Sequence, residues 1–238
     1  MRKKNSMRKV RFDSFPSQAA GCVQISFGNT VVACTASVAA APPRWIEKDE
    51  NGNPLHGWVS AEYAMLPGST HDRKRRGNDG RSTEIQRLIG RCLRAAVDME
   101  KMPGLSIMVD CDVLCADGGT RTAAITGGWV ALAIAIEKAL QTGRITQNPL
   151  TGQVAAISVG VIEGECYLDL DYPLDVRAEV DMNVVMKTRG RYIEVQGTGE
   201  KGTFNRKTHD NLLDLAAKGI RKLHTLQLKA VKELKERK

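Results

Sequence analysis

Two adjacent glycines, Gly118 and Gly119, separate a strand-like segment at residues 109–115 from a helical pattern that begins near Thr120. Glycines let backbone N–H groups approach a ligand closely, and the first turn of a helix presents unpaired donors with a partial positive charge. Thr120 is expected to cap this helix, and Arg121 adds a full charge. The turn therefore predicts an anion site, although it lacks the lysine of a nucleotide P-loop. An ordinary capped turn is the alternative.

A second cationic feature is the polar segment at residues 68–81, which is interrupted by glycines and contains no apolar anchor. Its basic residues are Arg73, Lys74, Arg75, Arg76 and Arg81, against Asp72 and Asp79. Because guanidinium groups pair with phosphate oxygens in a bidentate way, the segment predicts contact with nucleic acid. A solvated loop, or a set of ion pairs between subunits, is the alternative.

Carboxylates are concentrated in the strand-rich region that follows. They are Asp169, Asp171, Asp175, Glu179 and Asp181. A hard divalent cation binds one or two carboxylates together with phosphate oxygens, so these acids are candidates for a metal beside a phosphate. Acids beside strands are also commonly solvated or paired with a nearby arginine, here Arg177, and spacing alone does not separate these alternatives.

Length and composition limit the class of protein. The 238 residues carry 35 Lys and Arg against 27 Asp and Glu, a formal net charge of +8, which indicates an anionic partner only where it is concentrated. The longest apolar-rich stretch, residues 129–136, is too short to cross a bilayer, so a soluble globular chain is expected. The basic first residues have no apolar segment behind them, which is unlike a secretory signal and predicts a cytoplasmic location.

The cysteines contain no C-x-x-C pair, and several lie within apolar runs. This pattern predicts reduced side chains that pack in the interior, rather than metal ligands or disulfides. The residues are Cys22, Cys34, Cys92, Cys111, Cys115 and Cys166.

Hydrophobic patterning predicts the elements that must position these residues. Tight turns at residues 28–29, 163–164 and 189–190 each separate two strand-like runs, and helical periodicity occurs at residues 84–100, 123–141 and 207–235. Strands and helices in blocks, with hairpins, predict an α+β fold rather than an alternating parallel sheet. We expect one domain over residues 1–238, with two halves that repeat a hairpin-then-helix unit and meet near residues 143–152.

Four runs of residues resemble the RNase PH family of phosphate-dependent exoribonucleases. They are residues 61–67 (AEYAMLP), 80–91 (GRSTEIQRLIGR), 111–127 (CDVLCADGGTRTAAITG) and 179–186 (EVDMNVVM), with 193–198 (IEVQGT) following. Their order and spacing fit the family, so the resemblance extends from about residue 8 to about residue 221. It implies an RNase PH-like fold of the ribosomal protein S5 domain 2-like type, with mixed sheets and helices.

The resemblance implies phosphorolysis. Inorganic phosphate attacks the last phosphodiester bond of an RNA, releases a nucleoside 5′-diphosphate and leaves the RNA one nucleotide shorter, in a reversible nucleotidyl transfer. The enzyme must then bind a free anion beside a polyanion. By resemblance, the phosphate is held by Arg81 and by the turn residues Gly119, Thr120 and Arg121.

The same resemblance assigns roles to the acids. Asp175 and Asp181, together with Arg121, are expected to be catalytic, and the two aspartates are expected to coordinate Mg²⁺. Glu179 is expected to lie near them. A divalent ion or a proton donor is required because the leaving 3′-oxygen develops negative charge.

For the basic segment, the resemblance implies that Arg73, Arg75 and Arg76 contact the backbone of the acceptor stem of tRNA. The expected substrates are tRNA precursors with extra 3′ nucleotides, with a further role in rRNA processing. Members of the family assemble as hexameric rings of three dimers, so a homohexamer is expected here.

The chain departs from the family pattern at its first residues, at Gly68, and near the acids, where Pro173 and Arg177 are unusual. Relatives commonly carry an Asp-Gly-Arg segment just after the first Met, which is absent here, and Gly68 stands where relatives often have an arginine, so no RNA contact is assigned there. Two alternatives remain open. A non-catalytic RNA-binding subunit of an exosome-like ring would lose the anion site or the acids, and a hydrolytic metal-dependent nuclease would release monophosphates without phosphate.

Overall fold

The computed structural model describes residues 2–39, 41–77 and 79–235. The first half contains β1 (Val10–Asp13), β2 (Gly21–Phe27), β3 (Thr30–Ala39), β4 (Trp58–Met65), α1 (Gly80–Arg94), β5 (Ser106–Cys115) and α2 (Thr120–Gln141). The second half contains β6 (Val154–Ile162), β7 (Glu165–Leu168), α3 (Tyr172–Arg177), β8 (Val180–Lys187), β9 (Arg191–Gly199) and α4 (Arg206–Lys235). Short 3₁₀ turns cover Met99–Lys101 and Thr188–Gly190. The α+β prediction is confirmed.

Each half of the chain forms its own sheet. The first sheet has the strand order β1-β2-β3-β5-β4, and the second has the order β7-β6-β8-β9. All neighbouring strands are antiparallel except β4 and β5, which are parallel. The parallel pair follows from α1, because a helical crossover returns the chain to the same end of the sheet. The carboxyl ends of β4 and β5 therefore meet at one edge.

The three predicted hairpins are present, joining β2 to β3, β6 to β7 and β8 to β9. In the second hairpin Glu163 and Gly164 have φ values of 52° and 74°, and in the third Arg189 and Gly190 have φ values of 65° and 73°. Two consecutive left-handed residues are what the two-residue turn of the second hairpin requires to match the twist of its strands, whereas the third hairpin has a three-residue connection, Thr188–Gly190.

The helix boundaries differ from the sequence prediction mainly at α1, which was expected over residues 84–100. The helix begins at Gly80 because the Asp79 carboxylate accepts a hydrogen bond from the Ser82 N–H at 2.7 Å. It ends at Arg94, and the apolar residues beyond it do not belong to a helix: Val97 forms a β-bridge with Leu150. The periodicity continued past the helix because these side chains are also buried. Helices α2 and α4 begin three residues and one residue earlier than predicted.

Helix α2 is the centre of the fold. Residues 122–136 are all buried, because β2, β3 and β5 cover one side of the helix while β6 and α4 cover the other. A Cβ atom at Gly21 of β2 would lie 2.0 Å from the Ala131 carbonyl oxygen, so glycine is needed for this close approach. By length and composition α2 could cross a membrane, but 83% of its most apolar window is buried inside the protein.

The cysteines are free thiols, and their placement confirms the packing prediction for Cys22, Cys34, Cys92 and Cys111, which are buried. Cys166 is partly buried. Cys115 is exposed, so the prediction is wrong there: it is the last residue of β5, where the chain leaves the sheet.

Candidate active site

The polar segment (residues 68–81) follows β4 and the glycine turn follows β5, and the two lie next to each other where these strands end. After β4, the Leu66 N–H donates to the Val113 carbonyl at 3.0 Å, and the Ala116 N–H donates to the Ser69 carbonyl at 2.8 Å. The polar segment then leads into α1, and the glycine turn leads into α2. The parallel pairing of β4 and β5 thus brings the first turns of both helices to one edge of the sheet.

The glycine turn has the left-handed conformation that its residues permit. Gly118 and Gly119 have φ values of 73° and 67°, and Gly119 is the N-cap of α2, so no side chain caps the first-turn N–H groups. The expectation that Thr120 caps the helix is wrong. Its hydroxyl instead accepts a hydrogen bond from the buried Tyr63 hydroxyl at 2.8 Å, while the Thr122 hydroxyl donates to the Gly119 carbonyl at 2.9 Å. The first-turn donors of α2 are left for a ligand.

Gly118 also allows the turn to touch the segment that carries the acids. A Cβ atom there would lie 2.7 Å from the backbone of Leu170 and of Asp171. The Tyr172 N–H donates to the Asp117 carboxylate at 3.3 Å. The predicted anion site and the start of α3 are therefore in direct contact, although about fifty residues separate them in the sequence.

Arg121 lies at the junction of three elements. Its guanidinium donates to the Gln196 side-chain oxygen of β9 at 2.5 Å and lies 3.6 Å from the Glu84 carboxylate of α1. Because Glu84 belongs to the N-terminal part of α1, this contact brings the N-terminal ends of α1 and α2 together. Arg81 is exposed in the first turn of α1. Both helix ends and both arginines favour an anion in the same space.

The two predicted aspartates lie within electrostatic range of these arginines. Burial, and after it the charge of Asp175, raises the pKa of Asp181 to about 6. Asp175 is exposed on α3, yet enough protein surrounds its carboxyl group to raise its pKa as well. The positive charges of Arg81 and Arg121 oppose both shifts. The structure therefore brings together all four charged residues predicted for the site.

The other acids and bases near the site differ from expectation. Glu200, in the connection between β9 and α4, is a further acid whose charge raises the pKa of both Asp175 and Asp181. Arg177 pairs with Glu163 at 2.6 Å. The alternative that Arg177 neutralises the aspartates is therefore wrong.

Metal binding at the aspartates can be tested on the geometry of their oxygens. Among the described residues, no group of three or more His, Cys, Asp or Glu side chains is arranged to hold a metal. The Asp181 Oδ1 atom, however, is buried and has no hydrogen-bond partner within the described chain. Two nearby carboxylates, one with an unpaired oxygen, fit a hard cation that completes its coordination with water and phosphate oxygens.

The basic segment lies at the surface. Arg73, Arg75 and Arg76 are exposed, and within residues 2–39, 41–77 and 79–235 none of them forms an ion pair. The backbone is attached to the sheet edge, since the Lys74 N–H donates to the Pro67 carbonyl at 2.9 Å. The segment places free guanidinium groups a few residues from Arg81.

Sequence reasoning missed several residues that contact the site. Tyr63, Glu84 and Gln196 lie within the runs that carry the family resemblance, so that resemblance was a usable signal for them. Arg8, which forms a buried ion pair with Asp169 at 2.6 Å next to the glycine turn, carried no comparable signal, and Asp169 was predicted only as a candidate metal ligand. The two residues are 161 positions apart, so no local pattern indicates that they pair.

Comparison with known proteins gives consistent matches over most of the chain. Models described as the 3′ exoribonuclease family match its domain 1 to residues 7–136 and its domain 2 to residues 152–219. A protein named Ribonuclease PH from Corynebacterium efficiens is 52% identical over 228 residues, covering 93% of this chain and 91% of the relative. Another of that name from Synechococcus elongatus is 48% identical over 225 residues, with coverage of 93% and 91%.

A solved structure is similar in fold at much lower identity. It is the Archaeoglobus fulgidus exosome with RNA bound to the active site, with a TM-score of 0.79 and 19% identity. The match covers 93% of this chain and 89% of that chain. The likeness extends over both sheets and therefore concerns the whole architecture.

We predict that Asp181→Asn stabilises the protein above the pKa of Asp181. The folded state raises that pKa from 3.8 to about 6, so folded protein binds the proton more tightly than unfolded protein does. The wild-type free energy of unfolding therefore falls as pH rises through this window. Asparagine removes the effect, so the variant should be more stable by about 3 kcal/mol at about pH 8 and equally stable only below the unfolded pKa, at about pH 2–3. Urea unfolding in buffers without divalent cations measures this difference.

The matched control is Asp72→Asn, which replaces an exposed acid of the basic segment. The free energy of unfolding of this variant should lie within about 0.5 kcal/mol of the wild-type value at about pH 8, as for most surface substitutions. A variant at position 181 that is no more stable than wild type at about pH 8 would contradict the assignment of a buried, electrostatically strained carboxylate.

Proposed function

The chain belongs to the 3′ exoribonuclease family, and from that membership we propose that Arg81, Arg121, Asp175 and Asp181 carry out the phosphorolysis of RNA 3′ ends. The protein is a phosphorolytic 3′–5′ exoribonuclease, an enzyme of the nucleotidyltransferase type with phosphate as co-substrate. The observation that carries the residue assignment is the convergence of two helix N-termini and two arginines on two aspartates of raised pKa. A non-catalytic ring subunit would not need this arrangement.

The phosphate ion is proposed to bind at the first turn of α2. Its oxygens would accept hydrogen bonds from the N–H groups at Thr120 and Arg121, and the guanidinium groups of Arg81 and Arg121 would supply the positive charge. Glu84 and Gln196 hold Arg121 from two sides, which limits its rotamers before the ligand arrives. A preoriented guanidinium loses less freedom on binding.

In the reaction, an oxygen of the bound phosphate attacks the phosphorus of the last phosphodiester bond. A new P–O bond forms, the bond from phosphorus to the 3′-oxygen of the preceding nucleotide breaks, and a nucleoside 5′-diphosphate leaves. Both reactants are anionic, so the arginines lower the repulsion between them. The arginines would also stabilise the negative charge of the transition state, in which the attacking and leaving oxygens lie in line.

The leaving 3′-oxygen requires a proton or a cation, and we assign this function to the aspartates. Because its pKa is about 6, the Asp181 carboxyl can exchange a proton near neutral pH. Asp175 and Asp181 also provide the oxygens that would hold Mg²⁺, with the unpaired Oδ1 of Asp181 as one ligand. A bound divalent ion would stabilise negative charge on phosphate and leaving oxygens.

For the substrate, we propose tRNA precursors with extra 3′ nucleotides, bound through the basic segment. Arg73, Arg75 and Arg76 are exposed and close in sequence to Arg81, which suits contact with the RNA backbone on the way to the site. Backbone contacts position a substrate without reading its sequence. The same surface would serve precursors of rRNA.

We also propose a homohexamer of three dimers in the cytoplasm. Strand β9 is an edge strand of the second sheet and exposes Tyr192 and Val195, which gives an apolar surface for another copy. The six free thiols suit a reducing compartment.

We predict that Arg121→Ala raises the KM for phosphate about 10- to 100-fold, because the variant loses a preoriented charge at the anion. Phosphorolysis of a tRNA precursor is followed as a function of phosphate concentration. Arg91→Ala is the matched control, since Arg91 is an exposed arginine of α1 that pairs with Glu194 at 2.9 Å. The control should retain the wild-type KM, and an unchanged KM in the Arg121 variant would remove that residue from the phosphate site.

We further predict that replacing Arg73, Arg75 and Arg76 together by alanine weakens tRNA binding. The slope of log K against log salt concentration should become shallower by about 2–3, since each phosphate contact contributes about 0.9. Phosphorolysis of a short single-stranded RNA should stay within about twofold, because a short substrate does not reach the segment.

The control for this prediction removes equal charge elsewhere: Lys218, Arg221 and Lys222, which are exposed on α4, are replaced by alanine. Their loss should leave the salt slope unchanged. Equal losses of activity on tRNA and on short RNA in the loop variant would mean that the segment serves assembly and not tRNA binding.

A further inference from the structure

We propose that Arg8 and Asp169 are positioning residues of this enzyme, whose buried ion pair fixes the glycine turn against the segment that carries Asp175. The inference rests on the proposed function, because it assumes that phosphate binds at that turn. Neither residue is placed in contact with substrate. Their effect would be transmitted through the backbone of residues 117–119 and 169–172.

The ion pair has a forked geometry and is shielded from water. The Arg8 and Asp169 side chains are 7% and 1% exposed. Arg8 Nη2 donates to Oδ1 at 2.6 Å, Nε donates to Oδ2 at 3.0 Å, and the Arg8 backbone N–H donates to Oδ2 at 2.7 Å. Asp169 itself has a left-handed φ of 61°, a conformation that the surrounding bonds must hold in place.

The same guanidinium binds the backbone of the glycine turn. Arg8 Nη1 donates to the Asp117 carbonyl at 2.5 Å and to the Gly118 carbonyl at 3.4 Å, and Nη2 donates to the Leu170 carbonyl at 3.3 Å. In a trans peptide the N–H points opposite to the C=O. Holding the carbonyls of Asp117 and Gly118 toward Arg8 therefore turns the N–H groups of Gly118 and Gly119 away from it.

Thr30 completes this attachment. Its fully buried hydroxyl donates to the Gly118 carbonyl at 2.6 Å and accepts hydrogen bonds from the Asp117 N–H at 3.0 Å and from Arg8 Nη1 at 3.3 Å. One donated and two accepted bonds use the full capacity of a hydroxyl group. Two side chains therefore hold the glycine turn in place: Arg8 of the N-terminal segment and Thr30 of β3.

The acid-bearing segment is attached to the same pair. Asp171 caps α3 by accepting a hydrogen bond from the Leu174 N–H at 3.2 Å, and Asp175 lies one turn further along that helix. Arg2 donates to the Asp169 carboxylate at 3.0 Å and lies 3.7 Å from the Asp171 carboxylate. Arg2 therefore also contributes to the position of α3.

Stability alone is a weak explanation of this network. A buried ion pair recovers little more than the cost of removing its charges from water. Here the guanidinium makes bonds to three carbonyls of two segments that both border the site, and these bonds specify geometry. An error of about 1 Å in the position of a bound reactant is enough to lower a rate about 100-fold.

The test compares Arg8→Lys, which keeps the charge but not the fork, with Thr30→Val, which keeps the shape but removes the hydroxyl. Arg11→Lys is the matched control, since Arg11 lies exposed on β1 and pairs with Asp13 at 3.8 Å. For each variant, the folded fraction is measured by urea unfolding. Phosphate-dependent kinetics on a tRNA precursor and the Kd for that RNA are then measured per folded molecule.

We expect kcat/KM for phosphate to fall about 10- to 100-fold in Arg8→Lys and in Thr30→Val, with the Kd for RNA within about twofold of wild type and Arg11→Lys unchanged. Wild-type phosphate kinetics per folded molecule, with only a lower unfolding midpoint, would show a purely structural role and overturn the inference. If Arg8→Lys does not fold, Thr30→Val decides between these outcomes.

Arg121→Ala is measured in parallel to separate this inference from the proposed function. A raised phosphate KM in Arg121→Ala together with wild-type kinetics in Thr30→Val would overturn only the positioning role. An unchanged KM in Arg121→Ala would place the phosphate elsewhere, and would overturn the residue assignment and the inference with it.

Discussion

Repulsion between a phosphate ion and an RNA backbone is the constraint on which this structure depends, because phosphorolysis must bring the two anions into contact. The protein opposes that repulsion with the N-terminal ends of α1 and α2 and with Arg81 and Arg121. Acids are needed a short distance away for the leaving oxygen, and the raised pKa of Asp181 records the energetic cost of placing them in a crowded, partly buried site.

The fold solves this problem by rigid placement. The sheets are antiparallel except for one pair, β4 and β5, which are parallel. Because these two strands end on the same side of the sheet, the polar segment and the glycine turn that follow them begin there. Each segment then begins a helix, and α2 is buried along most of its length between the two halves of the chain. Because α2 is packed on all sides, its first turn has a fixed position. The packing of the protein core therefore fixes the positions of the N–H groups that would bind the anion.

Local features of this arrangement could be predicted from the sequence, while long-range ones could not. Hairpin turns and the glycine turn depend on nearby residues, so they were predicted at the right places. The start of α1 was missed because its first turn has no apolar residue, and the role given to Thr120 failed because Tyr63, from another strand, binds its hydroxyl. The pairing of Arg8 with Asp169, and the influence of Glu200 on the pKa of Asp181, arise only when distant segments meet.

The central claim is that free phosphate is the attacking group, and labelled phosphate tests it most directly. When a tRNA precursor with extra 3′ nucleotides is incubated with the protein and radiolabelled inorganic phosphate, the label should appear in nucleoside 5′-diphosphates, and no nucleotide should be released without phosphate. Unlabelled nucleoside monophosphates, formed at the same rate with and without phosphate, would contradict the claim.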